Sequence, residues 1–339
     1  MCRILAVDAG GTTTRAAIVE PSGHCRGLGL ASSGNPISGG SDAAVASLVS
    51  ATERARATAT PGAGDFTSAV IAMAGAGIHA PVEQITALLA PLGLRGPVAL
   101  VSDVLATFYS GTLLPNGYVL IAGTGAVAGR IEDGRLAAVS DGLGWLLGDA
   151  GSGYWIGHRV VSAVVGFLDR RAPQTALTEL LLAELHLTAT TERRGERPLI
   201  LLRLVDALYA LRPVELSRFA PLAFQAHDDE VACAILADAT SALADTLASI
   251  WDRGVDGPVV LGGSVLGRGL LAATIPLGAS LRAGLDNSPP ITVTDGLVGA
   301  AVLGLRRAGI RVDENIFRRI TGDVTALRDA ARRKNSGNG

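Results

Sequence analysis

Lysine is almost absent from this chain: in 339 residues the single lysine is Lys334, inside a polar run over 332–339. A Walker A loop needs a lysine on the phosphates, a protein-kinase core needs one on a strand, and pyridoxal phosphate needs one for its Schiff base. All three chemistries are excluded for the folded body, because arginine replaces the charge but not those geometries. Cysteine is scarce too. Cys2, Cys25 and Cys233 are odd in number and unclustered, which excludes a disulfide framework and a structural zinc site and points to a reducing, cytoplasmic setting. The five histidines (His24, His79, His158, His186, His227) have no ligand spacing, and Ser152 sits in no nucleophile-elbow pattern. An excess of charge of one sign is missing: 29 Lys and Arg against 31 Asp and Glu leave a net −2, with no footprint for nucleic acid or an anionic membrane. The apolar run after Arg3 stops at Asp8, so no signal peptide is expected there. The longest charge-free stretch, 104–129, is broken by Pro115-Asn116-Gly117 and by glycines, so it is not a membrane span.

What is abundant is apolar residues (48%) and glycine (43 residues), enough for two α/β cores in a chain of this length. Ile4 to Val7 is an apolar run ending on Asp8, followed by Ala9-Gly10-Gly11-Thr12-Thr13-Thr14-Arg15 and a second apolar run at Ala16–Val19. That pattern predicts a strand, a tight turn and a second strand, with an acid at the mouth of the turn. Glycines let a backbone approach a ligand, and a turn rich in N–H and hydroxyl groups makes a concave anion site. An Asp beside it repels a bare phosphate and welcomes one that carries Mg²⁺.

The rest of the first half reads as a third strand near 25–30, a helix capped at Asp42, a strand over 68–73, a helix opened by Pro81, and a strand over 97–102 running into Ser102-Asp103 and a short helix. After Pro115-Asn116-Gly117 the opening pattern returns. Val119–Ala122 enters Gly123-Thr124-Gly125, Ala126–Ile131 leaves it, and a third strand follows near 136–139. The two units predict a duplicated α/β arrangement of mixed sheets covered by helices; the second copy lacks the carboxylate. A largely helical stretch follows from 154 to 251. Then come a strand over 258–262 entering Gly263-Ser264 with a helix after Gly267, a strand near 291–293, Thr294-Asp295-Gly296, and an amphipathic helix over 297–307. The charged C-terminal residues read as a surface helix and a disordered tail.

Each glycine turn alone has an ordinary reading as a hairpin. Three of them at the carboxyl ends of buried strands point to one ligand site, because open α/β sheets bind ligands at that edge. Asp103 alone reads as a helix N-cap. On an edge that already holds two phosphate-type turns, its carboxylate is also placed to take a proton from an attacking hydroxyl. The segment 142–155 holds five glycines, Asp149, Trp145 and Trp155. Its ordinary reading is a tight loop packed by aromatics; its functional reading is a sugar surface, since carbohydrates present hydroxyls and an apolar face.

Asp8–Thr13, Ser102-Asp103, Ile121–Gly125, the block Gly148-Asp149-Ala150-Gly151-Ser152-Gly153-Tyr154-Trp155-Ile156-Gly157 and Leu261-Gly262-Gly263-Ser264 together resemble the N-acetylglucosamine kinases of the BadF/BadG/BcrA/BcrD branch of actin-like ATPases. The resemblance runs in order from residue 4 to about 305. It implies two actin-like (ribonuclease H-like) domains around a cleft: residues 1–115, joined by a C-terminal helix over about 297–335, and residues 116–296 with a helical insertion. It implies ATP and Mg²⁺ as cofactors, a small-molecule sugar as partner, a homodimer, and transfer to the sugar 6-hydroxyl. By position, Asp8 holds Mg²⁺ through water. Gly10, Gly11, Thr12 and Thr13 cradle the phosphates, Gly123, Thr124 and Gly125 face them, and Gly263 and Ser264 line the nucleotide. Asp103 is the base, and Asn35, Gly75, Gly144 and Asp149 contact the sugar together with it. Two positions depart from the family pattern: Ala150 replaces a Glu, and Leu143 stands where a Trp is usual, with Trp145 following Gly144. Both are expected in the sugar site.

Other readings have less support. Glucosamine, N-acetylmannosamine or an N-acetylmuramic-type acid would change only the sugar, with Arg15 or Arg130 available for a lactyl carboxylate. An iron–sulfur activator of dehydratases needs paired cysteines. A sugar-sensing regulator needs a DNA-binding extension, and none is expected ahead of Asp8.

Overall fold

The computed structural model describes residues 3–36, 40–59, 65–74, 81–270 and 289–336. The first sheet contains β1 (Ile4–Ala9), β2 (Thr14–Val19), β3 (Cys25–Ala31), β4 (Ser68–Met73) and β5 (Val98–Ser102), in the order β3-β2-β1-β4-β5. The first three strands are antiparallel, and β4 and β5 run parallel to β1. The second sheet contains β6 (Gly117–Ala122), β7 (Ala126–Glu132), β8 (Arg135–Asp141), β11 (Val259–Gly262) and β12 (Ile291–Val293), with a two-residue-strand hairpin, β9–β10, at Arg193–Pro198 between β8 and β11. Its order, β8-β7-β6-β11-β12, repeats the first sheet strand for strand. The duplication read from the two glycine turns is therefore a duplication of topology.

Alternation along the central strands decides which side chains meet. In β1, Leu5, Val7 and Ala9 face a core made with α1 (Ser41–Thr58) and α2 (Val82–Leu89). Ile4 and Ala6 face the opposite side, where α3 (Asp103–Gly111) and α9 (Leu297–Arg307) lie between the two sheets. That inner core also takes Val119, Ile131 and Val260 from the second sheet. Asp8, two residues on from Ala6, inherits the inner face.

The outer face of the second sheet is covered by α4 (Gly153–Leu168), α5 (Leu177–Glu184), α7 (Ala220–Gln225) and α8 (Glu230–Ala248), with α6 (Leu199–Tyr209) beyond them. α8 is long and apolar enough to span a membrane by length and composition. Half of it is buried, with Ile235, Leu236, Leu243 and Leu247 in the core. Fully burying side chains of that size contributes about 1.5–3 kcal/mol each.

Several boundaries differ from expectation. α1 begins at Ser41 with Gly40 as its cap, and Asp42 lies in its first turn, where a carboxylate still favours the helix N-terminus. Pro81 is the residue preceding the first helical turn of α2, not its first member. A π-helical turn, Val265–Leu270, follows Ser264 and spans Gly267; the remainder of the helix expected after Gly267 lies outside the described residues. The C-terminal residues form one continuous helix, α10 (Glu314–Ser336), and it is docked: Ile320 and Val324 are buried in the inner core. Its Asp323 accepts from the Cys25 backbone N–H at 3.0 Å and lies 3.1 Å from His24 Nδ1, which ties it to β3.

Candidate active site

The carboxyl ends of β1, β5, β6, β11 and β12 open into one cleft of about 840 Å³. Asp8, Gly10, Gly11, Thr12, Thr13, Asn35, Asp103, Gly123, Thr124, Gly125, Gly144, Asp149, Gly263 and Ser264 all line it. Gly75 lies outside the described residues. Trp145 and Arg15 line it too, together with Asp141 and Asp295, to which the sequence motifs assign no role.

The first turn closes through Gly10 N–H donating to Thr13 O at 3.2 Å. Gly34 N–H donates to Gly10 O at 3.1 Å and Thr14 N–H to Ser32 O at 2.9 Å, so the loop carrying Asn35 is laid against the turn. The second turn closes through Gly123 N–H to Gly125 O at 2.9 Å. The two turns meet directly, with the Thr12 and Thr124 hydroxyls 2.6 Å apart. The third turn packs on the second: a Cβ on Gly263 would lie 2.3 Å from Ala122 O, and its φ is +92°. Both facts demand glycine.

Asp103 stands at the head of α3. Ser102, not Asp103, is the cap, and its Oγ accepts from Val104 N–H at 3.2 Å. Val104 N–H also donates to Asp103 Oδ1 at 3.0 Å. Burial raises the Asp103 pKa above the usual carboxylate range, against the lowering effect of that N–H. A carboxylate lifted in this way is a stronger base.

Asp8 is buried and its pKa is pushed up to about 7, first by burial and then by Asp295; Arg15 pulls it down, Asp103 lifts it, and Gly296 N–H lowers it. Arg15 faces Asp8 across the β1–β2 pair, a register the alternating sequence contains but does not announce. Arg15 Nη1 lies 3.2 Å from Asp8 Oδ2, and Arg15 Nε lies 2.9 Å from Asp295 Oδ2. Asp295 follows β12 as Asp103 follows β5, so the same strand-end signal could have found it.

The segment 142–155 divides into two parts. Asp141 Oδ1 accepts from Asp149 N–H at 2.7 Å and its Oδ2 from Ala150 N–H at 2.9 Å, drawing the loop back on itself. Asp149 Oδ1 accepts from Ala126 N–H at 3.0 Å, while Gly153 N–H and Tyr154 N–H donate to the carbonyls of Gly123 and Thr124. The end of this block thus braces the second turn. Gly142, Gly144, Trp145 and Asp149 reach the cleft, whereas Leu143 and Ala150 are not among the residues lining it. Leu143 is 65% exposed and turned outward. The two departures from the family pattern therefore do not stand on the cleft wall in this structure. Burial raises the Asp149 pKa to about 6; the Ala126 N–H opposes this and Asp141 adds to it.

The fit to Mg²⁺ is chemical. Among the described residues, five carboxylates line the cleft (Asp8, Asp103, Asp141, Asp149, Asp295) against one cation, Arg15. A polyphosphate enters such a surface more readily with its charge neutralised. Among the described residues no three His, Cys, Asp or Glu are grouped to cage a metal. That suits Mg²⁺, which takes one or two carboxylates together with substrate phosphates and water. Asp8 stands beside the first turn.

A model of the BadF/BadG/BcrA/BcrD ATPase family matches residues 5–304. The N-acetyl-D-glucosamine kinase of Dictyostelium discoideum is 32% identical over 201 residues, 56% of this chain and 59% of that protein. An N-acetylmuramic acid/N-acetylglucosamine kinase of Clostridium acetobutylicum is 34% identical over 108 residues, 32% of this chain and 35% of that one. The matches thus span less than two thirds of either relative's length. A solved candidate N-acetylglucosamine kinase of Porphyromonas gingivalis superposes with a TM-score of 0.69 at 19% identity, covering 91% of this chain and 100% of that one. One from Chromobacterium violaceum gives 0.62 at 22%, covering 89% and 99%. At such identities the likeness establishes the fold, the paired-sheet actin-like architecture. With 300 consecutive residues inside the family model and its glycine turns gathered on one cleft, the chain belongs to the BadF/BadG/BcrA/BcrD ATPase family.

Proposed function

We propose that this protein is an ATP-dependent kinase that phosphorylates the 6-hydroxyl of N-acetylglucosamine. The observation that carries the reading is the position of Asp103: a part-buried carboxylate of raised pKa, in the same cleft as two phosphate-type turns whose threonines touch. Backbone N–H groups and the hydroxyls of Thr12, Thr13 and Thr124 hold the phosphates, with Gly263 and Ser264 against the nucleotide. Asn35, Gly144 and Asp149 orient the sugar so that its hydroxyl meets Asp103, which accepts the proton as the phosphoryl group moves. Asp8 would hold Mg²⁺, which would add charge neutralisation to a site with no lysine. Catalysis is then positioning and electrostatics more than covalent chemistry. A homodimer in the cytoplasm belongs to the same proposal, as does the assignment of domains, residues 1–115 with 297–335 and residues 116–296.

The Clostridium acetobutylicum relative keeps N-acetylmuramic acid in view as an acceptor. The charges here favour the neutral sugar. Arg15 is engaged with Asp8 and Asp295, and Arg130 with Glu132 and Asp252 away from the cleft lining. A coupled assay of ADP release with N-acetylglucosamine, glucosamine, N-acetylmannosamine and N-acetylmuramic acid tests the proposal. N-acetylglucosamine should give the highest kcat/KM; no stimulation by any sugar would remove the kinase reading.

A further inference from the structure

Asp8 sits in a chain of alternating charge that ends far along the sequence. Asp295 Oδ2 receives both Arg15 Nε at 2.9 Å and Arg328 Nη2 at 2.7 Å, and its Oδ1 accepts from Leu297 N–H at 3.1 Å. Arg15 Nη1 reaches Asp8 Oδ2 and also donates to Thr13 O, each at 3.2 Å. The side chains of Asp8, Asp295, Arg328 and Arg15 are 8%, 6%, 14% and 23% exposed. These are not solvated surface pairs.

We propose that Arg15 is a positioning residue for the metal-bearing end of the nucleotide site, and that Asp295 and Arg328 are the links through which helix α10 holds it. The inference rests on the kinase reading above and names how that site is built. Asp8 and Asp295 are two buried carboxylates on facing strand ends. Removing the cation between them takes away the one described ion pair of Asp8 and leaves Asp295 with Arg328 alone, which is costlier than losing an exposed pair. Arg15 does more than neutralise. Two nitrogens of one planar fork touch two different carboxylates, while one of them also fastens the backbone of the phosphate turn. A lysine ammonium is a single point on a flexible stem and cannot span that arrangement.

Arg328 is delivered by a helix with its own anchorage, the Asp323 contacts to β3 and the burial of Ile320 and Val324. A segment 33 residues beyond Asp295 therefore sets the position of an acid near the start of the chain. Asp103 takes no part in this chain of bonds; its own described bond is to Val104. The Arg15–Asp295–Arg328 links therefore make no described hydrogen bond to the proposed base.

The test is calorimetric titration of the full chain with a non-hydrolysable ATP analogue, in Mg²⁺ and in EDTA, beside titration with N-acetylglucosamine. Arg15→Lys is expected to lose about tenfold in affinity for the Mg²⁺ complex, while affinities for the metal-free analogue and for the sugar stay within about twofold. Arg328→Met should move the same quantity in the same direction by about threefold, a loss of about 0.6 kcal/mol. Thermal melts report whether each variant is folded. If Arg15→Lys does not fold, Arg328→Met decides. Unchanged magnesium-dependent affinity in the folded variant, or parallel losses for metal-free nucleotide and sugar, would overturn the positioning role. Wild-type protein that binds no magnesium–nucleotide complex would instead overturn the functional reading itself, and the inference with it.

Discussion

The two strand–turn–strand units are built alike and charged differently. In the first, β1 and β2 are joined through Gly10–Thr13, and the strand before the turn carries Asp8 on its inner face, paired across the ladder with Arg15. In the second, β6 and β7 are joined through Gly123–Gly125, and the strand ends on Ala122. Each is followed by two parallel strands in the same spatial order. Duplication thus supplied two backbone cradles that face each other, and only one acquired the acid. Its counterpart is steadied from behind by the 148–154 block and Asp149. Two carboxylate-bearing turns face to face would add repulsion where phosphates must sit; one charged and one neutral turn avoid it.

Four substitutions would break or sharpen this contrast. The largest effect is expected from Asp103→Asn, which keeps shape and removes the base. On the kinase reading kcat falls by roughly 10²-fold or more, with KM for Mg·ATP within a few-fold. Steady-state kinetics measure it, and near-normal kcat would dismiss Asp103 as the base. Gly263→Ala attacks the second cradle through its support, because a Cβ meets Ala122 O at 2.3 Å at a φ of +92°. A loss of about 2–3 kcal/mol in urea denaturation is expected; wild-type stability would mean that the two turns are not locked together.

Asp149→Asn tests the brace. Its carboxyl is raised to about 6, so the folded state binds the proton more tightly than the unfolded chain does. That raised value makes stability fall as pH climbs from about 4 to about 6 and leaves it flat above. The Asn variant keeps an acceptor for Ala126 and should flatten the slope by about 1–2 kcal/mol; denaturation midpoints at pH 4.5 and 7, read at both values for both proteins, decide it. The smallest effect belongs to Thr124→Val, which removes the hydroxyl facing Thr12. Mg·ATP affinity should fall about fivefold with little change in melting temperature. An equal loss of sugar affinity would show that the contact closes the whole cleft instead of the phosphate end.

Much of this site is legible in the sequence. Apolar runs of strand length ending in Gly-Gly-Thr, Gly-Thr-Gly and Gly-Gly-Ser state a backbone that must turn without side-chain bulk, and Asp103 follows a strand of the same kind. Arg15 was harder to read, since its role depends on which residue lies opposite it in the ladder. Asp295 carried the same strand-end signal as Asp103 but lacked a recognisable motif around it. The C-terminal helix looked like solvated charge because its buried residues, Ile320 and Val324, are few and widely spaced among polar ones. The family resemblance puts Leu143 and Ala150 in the sugar site; the folded loop turns Leu143 to solvent and keeps both off the cleft lining.

Sequence by itself determined the local chemistry: where the chain must turn, which turns can approach a phosphate, and that no lysine of the folded body serves one. Tertiary structure alone decided which charges meet. Strand register put Arg15 beside Asp8, and the layer between the sheets brought Asp295 to them. Docking of α10 then carried Arg328 in from the other end of the chain. Local pattern is set by periodicity within a few residues, whereas a buried charge finds its partner only when distant elements are packed against one another.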